Sequence, residues 1–295
     1  MYALIEQLTL LDAFPLSALC ETLEVSRAGY YAWLVAEQNV REQRDRELMP
    51  LVCDIFWHHK RRYGARRIAV ELQARGRPCG VDRVAKLLKI QGLQAIQPQA
   101  YRPRTTDSRH GLGYSPNLLQ RSAPPTQLNR VWVADITYLP LKEYAFAYLA
   151  LVLDLCSRRV VGWNLAEQMT DTLVLEALQH AIRTRQPAPG LIHHSDRGGQ
   201  YASHAYRAVL RRAEMRQSMS RAANCYDNAF MESCFGTIKT ELEMTEYHDS
   251  RQARHEVASY LAYYNQDRRH SSLDYLSPAA FETQLNRSKL SNSTV

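Results

Sequence analysis

The sequence predicts an α/β protein in two parts: an all-α, basic front segment and a mixed α/β remainder. Three observations carry this. Apolar residues recur at helical spacing through about the first 97 positions. From Arg130 onward the spacing becomes that of strands alternating with helices. The charge is also uneven: residues 1–125 hold 18 Lys/Arg against 12 Asp/Glu, whereas residues 126–295 hold 19 against 18. Within 41–109 the count is 16 against 7, the kind of basic block that meets a polyanion.

In the front segment, residues 16–23 and 28–34 read as two short helices around a turn at Val25 and Ser26, whose hydroxyl suits a helix N-cap. Residues 41–59 carry Leu48, Leu51, Val52, Ile55 and Phe56 at helical spacing. Residues 65–74 and 81–90 are two more helices, parted by Gly76 and Pro78; Arg83, Lys86 and Lys89 face out on the second. Helix, tight turn and basic helix make a helix-turn-helix shape, and a plain three-helix bundle fits the same pattern. The expected division is a helix-turn-helix-like segment over 1–40 and a basic helical DNA-binding domain over 41–97. A Pro-, Gly- and Ser-containing linker over 98–127 follows.

Strands are expected at 131–139, 144–153 and 159–164, then a helix at 171–183, a short strand at 191–195, a helix at 202–212 and a strand at 216–219. Two helices follow, at 228–244 and 251–266. Three strands, then helix, strand, helix, strand, helix, is the order of the ribonuclease-H-like α/β fold, expected over 128–282. Residues 283–295 read as a disordered polar tail. The longest apolar run, 145–153, ends at Asp154 and is far short of the roughly 20 residues a membrane helix needs. Six scattered cysteines without a CxxC pair, behind a start with no secretion signal, point to reduced thiols in a soluble cytoplasmic protein.

Three carboxylates stand where this order would gather them. Asp135 is mid-strand, Asp196 ends the fourth strand, and Glu232 begins a helix. On that helix Met231, Cys234, Phe235, Ile238 and Leu242 form one apolar stripe. Asn228, Glu232 and Lys239 share an edge beside it. Hard oxygen ligands of this kind hold Mg²⁺ or Mn²⁺, and a pair of such ions serves phosphodiester chemistry. Position alone leaves the choice of acids open, since Asp154, Asp171 and Glu176 are also near the sheet.

Motifs decide among them. Trp132-Val133-Ala134-Asp135-Ile136-Thr137-Tyr138, His194-Ser195-Asp196-Arg197-Gly198-Gly199-Gln200-Tyr201 and Asp227-Asn228-Ala229-Phe230-Met231-Glu232-Ser233 resemble the core of OrfB-type insertion-sequence transposases of the IS3 group. These share a DDE, retroviral-integrase-like catalytic core. The 35 residues between Asp196 and Glu232 match that group, as does Lys239 seven residues further on. Tyr264-Asn265, Arg269-His270-Ser271-Ser272-Leu273 and Ser277-Pro278 resemble its C-terminal signature. Val25-Ser26-Arg27-Ala28-Gly29-Tyr30-Tyr31-Ala32-Trp33 and Tyr63-Gly64-Ala65-Arg66-Arg67-Ile68 resemble its front half.

The resemblance implies a metal-dependent DNA transposase with Asp135, Asp196 and Glu232 as catalytic acids and metal ligands, two Mg²⁺ or Mn²⁺ ions, and no zinc. The acids would direct first water and then the freed 3′-hydroxyl onto phosphodiesters. Tyr138, Tyr201 and Ser195 would then be structural or DNA-contacting, not nucleophiles, with His194 and Ser195 positioning the Asp196 loop. Transposon ends and target DNA would be the partners, met by a homo-oligomer in the bacterial nucleoid, together with an upstream OrfA product or fusion. Expected DNA contacts are Lys239, Asn228, Arg61, Arg62, Arg66 and Arg67. Arg158, Arg159, Arg268 and Arg269 are further candidates, with a surface turn or a helix-dipole role equally open for them. Two other classes compete: a catalytically silent DNA-binding regulator and a structure-specific nuclease. Three convergent carboxylates argue against the first, and the basic front half against the second.

Overall fold

A computed structural model of the chain describes residues 1–11, 14–97, 113–120, 123–142, 145–220, 229–243 and 246–292. The chain forms two compact units, Met1–Ala95 and Ile96–Val295.

The first unit is helical: α1 (Tyr2–Leu10), α2 (Leu16–Thr22), α3 (Arg27–His58), α4 (Ala65–Ala74) and α5 (Val81–Ile90). Ser26 caps α3, its hydroxyl accepting the Gly29 amide at 2.9 Å. A Cβ on Gly29 would lie 2.4 Å from the Tyr2 hydroxyl, so a side chain there would crowd α1. One small core joins α1, α2 and the start of α3 through Ile5, Leu19, Cys20 and Tyr30. A second joins the end of α3 to α4 and α5 through Val52, Ile55, Phe56, Tyr63, Ile68, Leu72, Val84 and Leu87. The helices expected at 28–34 and 41–59 are one continuous helix. The residues between them include Ala36, Glu37 and Gln38, strong helix formers, and no Gly or Pro. Pro50 lies inside it and forgoes one backbone hydrogen bond. Helices 65–74 and 81–90 stand as expected. The basic face of α5 is partly satisfied within the unit: Arg83 and Lys86 both reach Asp45 on α3, at 2.7 and 3.7 Å.

The second unit is built on five strands: β1 (Val131–Pro140), β2 (Phe146–Asp154), β3 (Val160–Ala166), β4 (Ile192–Ser195) and β5 (Arg216–Met219), in the order β3-β2-β1-β4-β5. The pairs β1–β2 and β2–β3 are antiparallel, while β1–β4 and β4–β5 are parallel. This is the ribonuclease-H-like arrangement. Helices cover both faces: α6 (Asp171–Arg185), α7 (Gly199–Ala202) and α8 (His204–Arg212) on one, α9 (Ala229–Glu241) and α10 (Ser250–Gln266) on the other. Alternation along β1 explains the two-sided burial. Trp132, Ala134 and Ile136 join the α6–α8 core, whereas Val131, Val133 and Leu139 join the α9–α10 core. α6 crosses β3 at Gly162 so closely that a Cβ would sit 2.3 Å from the Ala177 carbonyl oxygen.

Two expectations are corrected here. The tail is not disordered over 283–292: α11 (Pro278–Asn292) is helical, and Glu282 anchors it. The Glu282 carboxylate, 5% exposed, accepts hydrogen bonds from Arg159, Arg185 and the Ser157 hydroxyl at 2.7–2.9 Å. Burial alone would raise its pKa, but these donors more than offset that and hold it below the ordinary glutamate value. The linker is also not free at its far end. The Ser115 hydroxyl donates to Gln217 and the Leu118 amide to the Ser218 hydroxyl, so 115–118 lies along β5. Residues 98–112 and 121–122 of that segment fall outside the described residues.

Glu282→Ala would leave Arg185 and Arg159 without their acceptor. The expected loss is about 3–5 kcal/mol in urea unfolding at neutral pH, as for a buried pair stripped of one partner. The Glu282 contribution is present above the ordinary glutamate pKa and fades as pH falls through its lower folded value. A loss within about 1 kcal/mol, the worth of an exposed pair, would show the anchor to be incidental.

Candidate active site at the ends of the parallel strands

Asp135 and Asp196 are brought together by strand register. Ala134 pairs with Ser195 across β1 and β4, so the two aspartates follow directly on neighbouring parallel strands. Both are half-buried. Asp135 accepts the Ile136 amide at 2.8 Å. Asp196 leaves the strand into a tight turn in which its Oδ1 accepts the Gly198 amide at 2.9 Å. A Cβ on Gly198 would lie 3.1 Å from that oxygen and 3.6 Å from the Tyr201 ring, so a side chain there would crowd the carboxylate.

The loop is braced from below. The Ser195 hydroxyl donates to the Asp196 carbonyl, and Arg197 donates to the Ser220 carbonyl while its guanidinium lies over the Tyr114 ring at 4.6 Å. His194 and Ser218 are bonded side by side at 2.8 Å between β4 and β5. His193, fully buried on the other face, bonds the Tyr206 hydroxyl at 2.9 Å. Burial, with His194 adding to it, pushes the His193 pKa down to about 3, so it is neutral. The Gln217 side chain donates to the Tyr201 carbonyl and fixes α7.

Lys239 arrives from α9. Its ammonium lies 4.4 Å from the centre of the Tyr138 ring; burial lowers its pKa while nearby Asp135 opposes that. Met231, Cys234, Phe235 and Ile238 form the expected buried stripe under it. Glu232 is exposed in the first turn of α9, on the same helix edge as Lys239. Among the described residues no three His, Cys, Asp or Glu side chains converge to hold a metal ion. The structure therefore joins two of the three acids and leaves Glu232 apart. Residues 221–228, which lead into α9 and include Asn228, fall outside the described residues. The donors present are hard oxygens, and one buried oxygen beside them, the Tyr201 hydroxyl, has no hydrogen-bond partner among the described residues. Such a set suits Mg²⁺ or Mn²⁺.

The competing acids are occupied elsewhere. Asp154 is fully buried and accepts the Asn129, Cys156 and Ser157 amides, holding the β2–β3 turn. Glu176 accepts from Asn164, and Asp171 sits exposed at the start of α6. An open cleft of about 710 Å³ runs along edge strand β3 past Thr170, Glu176 and Arg254, and contains neither Asp135 nor Asp196.

The arginines divide. Arg268 is 4% exposed and its guanidinium donates to Glu241 at 2.7–2.9 Å, so it belongs to the core and not to a DNA surface. Arg159 is committed to Glu282 at 2.7 Å. Arg158 is half-buried with its guanidinium 4.3 Å over the Phe230 ring, and Arg269 donates to the Tyr275 carbonyl. Arg61 and Arg66 are exposed; Arg62 and Arg67 are half-buried, with Arg67 over the Tyr63 ring. Sequence reasoning passed over Glu241 and Glu282. A charged residue among aromatic or small apolar neighbours, as Glu282 is behind Ala279, Ala280 and Phe281, was the available signal.

Comparison with known proteins agrees with this architecture. An integrase core domain model matches residues 125–225, a second integrase core domain model matches 213–278, and an HTH-like domain model matches 42–101. The insertion element IS600 uncharacterized 31 kDa protein of Shigella sonnei is 41% identical over 265 residues, covering 89% of this chain and 97% of that one. Transposase InsF for insertion sequence IS3A of Escherichia coli K12 is 40% identical over 275 residues, covering 92% and 95%. The HTLV-2 integrase catalytic core domain is similar at 15% identity and a TM-score of 0.40, covering 52% of this chain and 96% of that one, too loose a likeness to carry weight.

His193 makes acid stability a test of the brace. It is neutral when folded down to about pH 3 and protonates near 6.5 when unfolded. The unfolded chain therefore binds the extra proton, and stability falls as pH drops from 6.5 toward 3, by up to about 1.4 kcal/mol per pH unit. His193→Gln keeps an acceptor for Tyr206 and should flatten that slope by about one proton. An unchanged slope would mean His193 is not buried in its neutral form.

Proposed function

The chain belongs to the IS3-type insertion-sequence transposases, and on that footing we propose that Asp135, Asp196 and Glu232 are its catalytic acids. It is a DNA transposase, a polynucleotidyl transferase whose integrase-type core depends on divalent metal. The observation that carries the assignment is the register of β1 against β4, which sets Asp135 beside Asp196 with Lys239 at their side.

Asp135 and Asp196 would hold the cation, with Glu232 of α9 as the third acid. Divalent ions, two of them and either Mg²⁺ or Mn²⁺, supply a more acidic attacking hydroxyl and neutralise the leaving oxygen. The remaining work falls to the protein. Lys239, kept partly dry beside Tyr138, meets a phosphate and offsets its charge. The narrow turn at Gly198 keeps the approach to Asp196 open. Both strand cleavage and strand joining use this one centre, with water as the first nucleophile and a 3′-hydroxyl as the second.

Residues 41–97 are the domain that grips DNA, with the exposed Arg61 and Arg66 on phosphates and the half-buried Arg62 and Arg67 behind them. Asn228, Lys239, Arg158 and Arg269 are the chain's further DNA contacts. Transposon ends and target are the DNA partners. The active form is a homo-oligomer assembled on them, working with an upstream OrfA product in the nucleoid. No helix among the described residues is long and apolar enough to cross a membrane.

Asp135→Asn, Asp196→Asn and Glu232→Gln should each lower cleavage and joining of a labelled transposon-end duplex with Mn²⁺ by about a thousandfold or more, roughly 4 kcal/mol of barrier. DNA affinity should stay. Full activity in any one of the three removes that residue from the centre. For the helical domain, binding affinity should fall steeply with salt, and Arg61→Ala and Arg66→Ala should each flatten the log–log slope by about 0.9. A slope unchanged by both substitutions would take those two residues out of the interface.

A further inference from the structure

Tyr201 belongs to α7, five residues beyond Asp196. Its side chain is 2% exposed and its hydroxyl has no hydrogen-bond partner among the described residues. The residue is held at its ring and its backbone. The ring packs edge-on against Tyr206 at 5.4 Å, and Gln217 holds the backbone carbonyl at 2.7 Å. The ring and the Asp196 carboxylate converge on the space left by the missing Gly198 side chain, 3.6 and 3.1 Å from where a Cβ would be. Burial above all, then Asp135, Tyr206 and Asp196, keeps the phenol protonated and therefore a donor. A buried hydroxyl with nothing to bond is an unfavourable thing for a fold to retain, and a phenylalanine would fill the same volume without that cost.

We propose that Tyr201 is a positioning residue of the acidic centre: its hydroxyl donates to a carboxylate oxygen of the Asp135–Asp196 pair when that pair holds a divalent cation. A carboxylate that gives one oxygen to a cation is oriented by a donor on the other, and loss of such a partner typically weakens metal binding about 10–100-fold. In the structure Asp135 accepts the Ile136 amide and Asp196 the Gly198 amide, each a local bond that leaves the Tyr201 hydroxyl out. The assignment rests on the reading of Asp135 and Asp196 as metal ligands.

The test uses the full chain, Mn²⁺ alone as the probe, and no DNA. Bound Mn²⁺ is counted by electron paramagnetic resonance, and thermal unfolding is followed with and without the metal. Tyr201→Phe is expected to raise the metal-free Tm by about 2–4 °C, the shift that removal of one orphaned hydroxyl gives a domain of this size. The same variant is expected to weaken Mn²⁺ binding about 10–100-fold. Asp135→Asn is expected to abolish that binding. A mere packing role predicts the same Tm gain but no change in Mn²⁺ affinity, so the Mn²⁺ titration decides. If Tyr201→Phe binds Mn²⁺ like the wild type while Asp135→Asn does not bind, the role of Tyr201 is overturned and the acidic centre stands. A lowered metal-free Tm in Tyr201→Phe likewise overturns it, because the hydroxyl then already has a partner. If Asp135→Asn binds Mn²⁺ normally, the reading beneath it fails.

Discussion

Because β1 and β4 run parallel with Ala134 opposite Ser195, their pairing stops one residue short of both aspartates. The carboxylates therefore stand at the mouth of the sheet, where backbone bonding no longer claims the surrounding space. A slip of one residue would turn each β4 side chain to the wrong face. The two cores forbid that slip. Trp132 and Ala134 are sealed under α6 and α8, Val131 and Val133 under α9 and α10, and all four are nearly inaccessible to water. A central strand locked on both faces is what allows two like charges to be held side by side. The energy comes from burial of apolar surface, and the position comes from hydrogen-bond register.

Around that pair the protein sorts its charges by use. Some carboxylates are structural and fully bonded: Asp154 to three amides, Glu241 to Arg268, Glu282 to two arginines and a serine. Each closes a join between elements distant in sequence. Their bonds are complete, and that is why they are not available for chemistry. Asp135 accepts the Ile136 amide and Asp196 the Gly198 amide, both local to the mouth of the sheet. The same division runs through the arginines, where Arg159 and Arg268 hold the fold and Arg61 and Arg66 face water.

Much of this was legible in the sequence, and the reasons for the rest are physical. Helices 65–74 and 81–90 and strand 216–219 were readable to the residue because period and punctuation agree there. Asp135 and Asp196 stood out from the other acids near the sheet only through the motifs, and the β1–β4 register sets the two side by side. The continuity of α3 was not, since a helix of polar good formers has no apolar stripe to betray it. The anchoring of α11 was missed because a tail rich in Ser and Asn hides one buried glutamate. Arg268 was misplaced because composition counts a cation without saying whether its partner, 27 residues earlier, lies beneath it. Glu232 shows the opposite limit: the motif names it, while the described structure leaves it exposed on α9.

The 32 residues of α3 give it a length of about 48 Å. The two small helical cores hang on its opposite ends and share no other covalent path. The helix is thus a gauge rod as well as a connector. Adding one residue between the cores would lengthen the rod by about 1.5 Å and turn one end by about 100° about the axis. Length and phase are therefore set together, and neither end can be re-aimed by drifting one substitution at a time.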